Sequence, residues 1–250
     1  MQNLNLLVAP DFLPVHFAGW HMLNTLLQKR LDCRMHLWMP GDTREQHQLL
    51  EDSKVDLIYA NPFDAAKLVR ENSFTALARP VQCFDEVVIS THASHSVNGV
   101  TDLRPGCRIA VTPNTDVKLI ALRLLEPADL DEHNVEWVST ESYQGVTRLL
   151  VRGEVDAGLY LAAAFYGLSN IARRQLKVLV ESRLRSISHV FLANPLYTQE
   201  RSSFQQVLTG IGTEPGDSEV LDALGMPHGL SRMEQEDAEF MIDLMETLLD

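Results

Sequence analysis

The chain of 250 residues has no apolar run long enough to cross a membrane, and no basic cluster precedes an apolar stretch at its start. A transmembrane helix needs about 20 consecutive apolar residues, and a secretory leader opens with positive charge. The sequence therefore predicts a soluble protein. As the chain stands we expect it in the cytoplasm, or in the periplasm if a leader has been removed from it.

Cysteine is scarce, and the three that occur, Cys33, Cys83 and Cys107, are widely spaced without a C-x-x-C pair. This number and spacing argue against a disulfide framework and against a zinc-ligand pattern. Each cysteine lies beside apolar residues, so we expect three buried free thiols.

Basic residues are also few, because 21 lysines and arginines face 34 acidic residues and leave a formal net charge of −13. Nucleic acid binding requires a concentrated basic surface, and nucleic acid is therefore excluded as the main partner. A small anion is still allowed, since it senses the field of its own pocket more than the total charge.

The familiar signatures of catalysis are missing as well. The sequence has no G-x-S-x-G, H-E-x-x-H or P-loop motif, so it predicts no catalytic residue, no metal site and no cofactor. No strand precedes the Gly210–Gly212 turn, which excludes a dinucleotide fingerprint. His92 and His95 lie in a loop with no companion acid, while His16 and His21 lie on an amphipathic helix and are expected at the surface.

The chain does contain a repeated alternation of apolar strands and amphipathic helices. The predicted strands are Leu4–Ala9, Arg34–Met39, Val55–Tyr59, Glu86–Thr91, Arg108–Val111, Val135–Val138, Val155–Leu159, Arg174–Glu181 and Ile187–Leu192. The predicted helices among them are Val15–Leu31, Arg44–Glu51, Phe63–Arg70, Val117–Leu125 and Tyr143–Arg152. Such alternation is typical of an α/β protein with mostly parallel sheets covered by helices on both faces.

The pattern restarts after Glu86–Thr91, which predicts two lobes, each a mostly parallel sheet flanked by helices. We expect residues 1–85 and 190–250 to form the first lobe and residues 92–185 the second. Crossover strands near 86–91 and 186–191 would join them as a hinge. A ligand is then expected in the crevice at the carboxyl ends of the strands.

The C-terminal segment is predicted to be helical and to pack on the first lobe, because its helices have no sheet of their own. The sequence Ser231–Glu234 is interpreted as a capping box that opens the last helix. Phe240, Met241, Leu244 and Leu248 share one face of that helix and are expected to be buried.

Two turns that join a strand to a helix carry polar groups suited to an anion. The candidate ligand residues of the first turn are Thr112, Asn114, Thr115 and Asp116, and those of the second are Ser142 and Tyr143. Simple helix capping is the competing interpretation for both turns, since asparagine and serine are favoured caps. Asp116 is expected to belong to the cap or to bind a cationic group such as an amine.

Further candidates follow other strands and could line the same crevice. They are Asp11 and Phe12 after the first strand, Tyr59, Asn61 and Phe63 where a buried strand meets its loop, Thr91 and His92 at the crossover, and Tyr160 after a strand of small residues. For each of them ordinary packing is the alternative to ligand contact.

Six segments follow one another along the chain: DLIYANPFDAAKLV (Asp56–Val69), EVVIST, DLRPGCRIAV, TPNTDV, SYQGVTRLLVRGEVDAGL and EDAEFMIDL. In this order they resemble type 2 periplasmic binding proteins, and in particular the phosphate/phosphite/phosphonate receptors of ABC transporters. The resemblance implies a Venus-flytrap fold that closes on a small anion without chemistry. It also implies a partner, either an ABC-transporter permease or a signalling protein.

Two positions depart from the family pattern. Asn114–Val117 stands where the family usually has a Ser-Thr-Ser-Gly-like run, and Tyr143 replaces a histidine. A cytoplasmic enzyme on the same fold, as in the futalosine menaquinone pathway, is the first alternative, with Asp11, Asp116, His92 or Tyr143 as acid or base. An effector domain of a transcription regulator is the second alternative.

Overall fold

The computed structural model describes residues 2–52 and 54–247. The chain divides into two compact units, of which the first comprises residues up to Phe84 together with Ser186–Thr247. The second unit is Asp85–Arg185. In the described part of the chain no helix is both long enough and apolar enough to span a membrane.

Strands and helices alternate through most of the chain. The strands are β1 Gln2–Val8, β2 Cys33–Trp38, β3 Leu57–Ala60, β4 Thr75–Pro80, β5 Val87–His92, β6 Arg108–Val111, β7 Glu136–Ser139, β8 Ala157–Leu161, β9 Leu176–Glu181, β10 Val190–Ala193 and β11 Leu230–Arg232. The helices are α1 Phe17–Leu31, α2 Thr43–Asp52, α3 Pro62–Asn72, α4 Thr115–Leu125, α5 Tyr143–Val151, α6 Ala162–Tyr166, α7 Asn170–Arg173, α8 Arg201–Thr209, α9 Asp217–Leu224 and α10 Gln235–Glu246.

The first unit is built on a six-stranded sheet in the order β11-β4-β10-β3-β1-β2. Strand β1 runs parallel to both β2 and β3, while β10 runs antiparallel to its neighbours β3 and β4. Successive side chains of a strand point to opposite faces, so Leu6 and Val8 pack with α1, α8 and α9, whereas Leu7 packs on the side of α3 and α10. The predicted α/β architecture, a sheet flanked by helices, is thereby confirmed for this unit.

Helix α1 lies close against α9. A Cβ atom on Gly19 would come within 2.6 Å of the Ala223 carbonyl group, so only glycine allows this approach. His16, expected at the surface, is half-buried, and its Nδ1 lies 3.0 Å from the Ala223 oxygen. His21 is exposed, as predicted.

The C-terminal segment departs from the predicted helical tail. Ser231 and Arg232 belong to strand β11, which pairs with β4, and α10 is capped instead by Glu234 with Asp237. The capping-box interpretation of Ser231–Glu234 is therefore wrong, because an unpaired edge of β4 was available to those residues. Strand β4 itself was not predicted.

The buried face of α10 also differs from the expected one. Met241 is buried and Leu244 is half-buried, but Phe240 is 65% exposed, so its predicted burial is wrong. The helix starts later than the capping-box interpretation required, and it buries Ala238, Met241, Ile242 and Met245. Leu248 lies outside the described residues.

The second unit contains a five-stranded sheet in the order β7-β6-β8-β5-β9. Strand β6 runs parallel to β7 and β8, while β5 runs antiparallel to β8 and β9. Strand β6 has the predicted bounds, whereas β8 begins two residues after the predicted Val155. Helices α6 and α7 were not predicted.

The cysteines and the loop histidines also differ in part from expectation. None of the three cysteines forms a disulfide within the described chain, but only Cys33 is buried, and Cys83 and Cys107 are partly exposed. The His92–His95 loop does have a companion acid, because His95 Nε2 lies 3.7 Å from Asp156 Oδ1. Asp156 was missed because it lies far along the chain, just before β8.

A buried ion pair between α1 and α9 gives the first prediction. Asp217, whose side chain is 3% exposed, accepts from the Arg30 guanidinium at 2.8 Å and from the backbone N–H groups of Gly212 and Glu214. Burial alone would raise the pKa of Asp217, but these donors lower it. Asp217→Ala should lower the free energy of unfolding at pH 7 by about 2 kcal/mol, because it leaves Arg30 without its main partner.

The same pair predicts a pH dependence that urea unfolding can measure. The folded pKa lies below the unfolded value, so the stabilisation is present above about pH 4 and is lost as the pH falls through the folded pKa. The difference between wild type and Asp217→Ala should therefore shrink in acid. An equal difference at pH 7 and at pH 2 would contradict this.

Tyr160 gives a matching prediction for the second unit. Its ring is fully buried and its hydroxyl lies 2.9 Å from Thr147 Oγ1. Burial raises the pKa of Tyr160 to about 12, and the hydrogen bonds only partly oppose this. Tyr160→Phe should lower the unfolding free energy by about 1 kcal/mol at pH 8.

The neutral phenol is favoured in the folded state, so its contribution is full below about pH 10 and is lost as the pH rises toward about 12. Urea unfolding of wild type between pH 8 and pH 11 should show stability falling more steeply than in Tyr160→Phe. Parallel curves would show that the phenol titrates normally.

Candidate functional site

In the first unit a polar cluster forms where the parallel strands end. Asp11 follows β1 and Asn61 follows β3, and the Ala9 N–H donates to the Tyr59 carbonyl at 2.9 Å, which keeps these ends together. Strand β10 enters from the opposite direction, with Val190 paired to Ala60. His189 therefore lies at the same edge of the sheet as Asp11 and Asn61.

Asp11 and His189 form an ion pair in which His189 Nε2 lies 3.2 Å from Asp11 Oδ1. The two side chains are only 12% and 11% exposed. Burial by itself would raise the pKa of Asp11, but the charge and hydrogen bond of His189, a backbone amide and the Asn61 side chain lower it. The cluster thus holds an ionised carboxylate against an imidazole in a largely water-free place.

Aromatic rings surround this pair. Tyr59 stacks on His189 with ring centres 5.2 Å apart and packs against Trp20 and Phe191. Phe12 contacts the edge of Trp20 at 5.9 Å. The rings orient the imidazole and give the cluster one apolar wall.

His189 is the member of this cluster that sequence reasoning missed. A lone histidine before a buried strand carries no motif, and its partner Asp11 lies at the other end of the unit's sequence. Only the antiparallel register of β10 brings the two together. A histidine immediately before an apolar strand of four residues was the one available signal.

In the second unit the two predicted turns are neighbours. Strands β6 and β7 pair with Val111 opposite Ser139, and the Thr140 N–H donates to the Val111 carbonyl at 2.9 Å. The turns that follow these strands therefore lie side by side. Each leads directly into a helix, α4 from the first and α5 from the second.

Both helices are capped by predicted residues. Asn114 accepts from the Val117 N–H at 3.0 Å, and Ser142 accepts from the Gly145 N–H at 3.2 Å. Capping is thus present at both turns, as the competing interpretation required. It does not exclude ligand contact, because a cap satisfies only one of the first N–H groups of a helix.

Thr112 and Asp116 stand out in the first turn. Thr112 is 9% exposed, and its Oγ1 has no hydrogen-bond partner among the described residues. Asp116 is buried in the first turn of α4, while Thr115 is exposed. A buried hydroxyl without a partner costs about 1–3 kcal/mol, so this position is unfavourable for folding alone.

The remaining candidates occupy different surroundings. Tyr143 is half-buried and stacks on Tyr160 at 5.9 Å, which places both in the interior beside α5. The Thr91 hydroxyl donates to the Asp156 carbonyl, and His92 Nδ1 lies 2.8 Å from Ser94 Oγ. Phe63 is half-buried in the first turn of α3.

A separate groove of about 510 Å³ lies between α2 and α3 of the first unit. Its walls combine apolar side chains, such as Leu50 and Leu68, with His47, Lys54 and Lys67. Asp64 also lines the groove, and it hydrogen-bonds Asn61 of the Asp11 cluster.

The chain matches the family model of phosphonate periplasmic substrate-binding proteins of ABC transporters over residues 6–238. Among curated proteins none matches it significantly. Solved structures do resemble it, including PhnD1 from Prochlorococcus marinus in complex with methylphosphonate, with a TM-score of 0.81 and 14% identity over 99% of this chain and 98% of that one.

Two further structures are similar over all or most of their length. XAC2383 from Xanthomonas citri bound to ATP has a TM-score of 0.78 and 14% identity, covering 100% of this chain and 99% of that one. PA3383, a binding protein component of a phosphonate transporter from Pseudomonas aeruginosa, has a TM-score of 0.77 and 12% identity, covering 100% and 89%. At these identities the likeness establishes the fold.

The sequence-based resemblance and the predicted fold are both confirmed by these comparisons. The matching proteins bind substrates rather than transform them, so the enzyme alternative receives no support. Residues 6–238 are nearly the whole chain, and the chain therefore belongs to the family of phosphonate-type periplasmic substrate-binding proteins of ABC transporters.

Proposed function

We propose that this protein binds a small oxyanion of the phosphonate or phosphate class in the periplasm and delivers it to an ABC-transporter permease. The observation that carries the proposal is the Thr112 hydroxyl in the turn before α4, which is buried without a partner among the described residues. A hydroxyl kept in this state has its partner elsewhere, and a ligand oxygen would supply one.

The neighbouring helix starts support an anionic ligand. Helices α4 and α5 begin after neighbouring strands. The first N–H groups of a helix have no partner within the helix itself. The positive end of a helix dipole adds to their attraction for an anion. An oxyanion has several acceptor oxygens, so it could use N–H and hydroxyl donors together.

Asp116 narrows the ligand class. A buried carboxylate in the first turn of α4 repels a dianion more than a monoanion. The site should therefore favour a singly charged oxyanion or one that also carries an amine, such as an aminoalkylphosphonate. Sulfate, a permanent dianion, should bind poorly.

The Asp11–His189 cluster is a second place for ligand contact. Its imidazole, fixed by Asp11 and stacked on Tyr59, is a hydrogen-bonding group with an aromatic wall beside it. Variants in this cluster and in the Thr112 turn test the two places separately.

Thr112→Val provides the decisive variant, because it keeps the side-chain shape and removes only the hydroxyl. We expect the unfolding free energy to stay the same or rise, since an unpartnered buried polar group is lost. The dissociation constant for methylphosphonate should rise about tenfold, which corresponds to the loss of one hydrogen bond to a charged group. Calorimetric titration and urea unfolding measure the two quantities.

Thr75→Val is the matched control, because Thr75 in β4 also has a buried hydroxyl without a partner among the described residues. It should leave the affinity unchanged. The ligand panel is methylphosphonate, aminoethylphosphonate, phosphate, phosphite, methylsulfonate and sulfate. A ligand at a hundred times its dissociation constant adds about 2.7 kcal/mol, so a panel without any rise in melting temperature would refute the oxyanion proposal.

A further inference from the structure

Asp64, in the first turn of α3, is a buried carboxylate that belongs to no candidate ligand turn. Its side chain is 5% exposed. It accepts from Gln46 Nε2 at 2.5 Å and from Asn61 Nδ2 at 3.0 Å, and His47 Nε2 lies 3.0 Å from its other oxygen. Two side chains of α2 and the N-cap residue of α3 thus converge on one carboxylate.

Such a network is more than the packing of α2 on α3 requires. Gln46 is fully buried, and its Oε1 has no hydrogen-bond partner in the described part of the chain. Apolar residues of similar volume often stabilise a protein as well as a buried polar network does, or better. The polar groups therefore call for a role beyond holding the two helices together.

The geometry of the Asn61 side chain indicates what Asp64 does in this network. Its Oδ1 accepts from the Asp64 N–H at 2.8 Å, and its Nδ2 donates to Asp64 Oδ2. A side-chain hydrogen bond from Asn61 is also the smallest of the causes that lower the pKa of Asp11. Turning the amide over would bring Oδ1 against the Asp64 carboxylate, and two acceptors repel each other. The backbone N–H and the carboxylate of Asp64 thus together select the orientation in which Nδ2 is the donor of the Asn61 amide.

We propose that Asp64 is a positioning residue for the Asp11–His189 cluster, acting through the amide of Asn61. In this arrangement Nδ2 donates one of its hydrogens to Asp64, and its other hydrogen is the one that can bond Asp11. Asn61 then serves Asp11, and Asp11 in turn holds His189. The inference rests on the proposed function only where it predicts ligand affinity.

The test reads the ionisation of Asp11 in the ligand-free protein. Carboxyl carbons of labelled aspartate are followed by NMR as the pH is lowered, and Asp11→Asn identifies the Asp11 signal. Asn61→Ala should raise the pKa of Asp11, because a donor to its ionised form is lost. Asp64→Ala should raise it in the same direction, although Asp64 is not expected to touch the ligand.

Asp217→Ala is the matched control. Asp217 is an equally buried carboxylate of the same unit that accepts from several donors, but its partners are Arg30, Gly212 and Glu214. Asp217→Ala should lower the stability of the protein, as Asp64→Ala does, and it should leave the titration of Asp11 unchanged. Asp64→Asn keeps one acceptor oxygen for Asn61, so it should give an intermediate rise, and it replaces Asp64→Ala if that variant does not fold.

Affinity provides a second readout. Asp64→Ala should weaken methylphosphonate binding about fivefold, the equivalent of one hydrogen bond. If wild type binds none of the oxyanions, the proposed function fails, yet the titration still decides the role of Asp64. Asp64 and Asp217 variants that both leave the Asp11 titration unchanged would overturn the inference and make Asp64 a purely structural residue.

Discussion

In each unit a strand that runs against its neighbours is the constraint that brings residues from distant parts of the chain together. In the first unit β10 runs against β3 and β4, and in the second β5 runs against β8 and β9. Each of these is the first strand of its unit after the chain has passed from the other unit. Because the strand enters in reverse, the residues just before it lie where its antiparallel neighbour, β3 or β8, ends.

In the first unit those entering residues include His189, which meets Asp11 for that reason. In the second they include Glu86, whose carboxylate accepts from the Leu184 and Arg185 N–H groups at 3.0 and 2.8 Å. Glu86 also accepts from the Ser182 hydroxyl. The segment by which the chain enters the second unit is thus bonded to the segment by which it leaves, which fixes both connections at one place.

Much of this architecture is readable from the sequence, because long periodic segments determine their own structure. Strand β6 and the starts of α4 and α5 follow from an apolar run, a polar turn and a capping residue within a dozen positions. The Asn114 and Ser142 caps are local features of the same kind. Belonging to the family could also be predicted, since many moderately specific segments occurred in the right order.

What could not be predicted depends on residues far apart in the chain. Strand β11 has three residues and forms only because β4 offers it an edge, so its sequence was interpreted as a helix cap. His189 lies beside Asp11 only because of the register that pairs Val190 with Ala60. The burial of Asp64 requires α2 and α3 to be packed, and no local pattern distinguishes it from an ordinary first-turn acid.

Buried polar groups that serve stability differ in their hydrogen bonding from those that serve ligand recognition. Asp217 has all its donors within reach, and the pKa of its carboxyl is held down by Arg30 and two backbone N–H groups, as expected of a group selected for folding. The Thr112 hydroxyl and the Gln46 carbonyl are buried without partners in the described chain, which destabilises the fold. In a binding protein such unfavourable groups persist where they match a ligand or orient a residue that does. The net charge of −13 is compatible with an anionic ligand. Carboxylates such as Asp64 and Asp217 accept hydrogen bonds from donors inside the protein, so their negative charge is neutralised there and not directed at the ligand site.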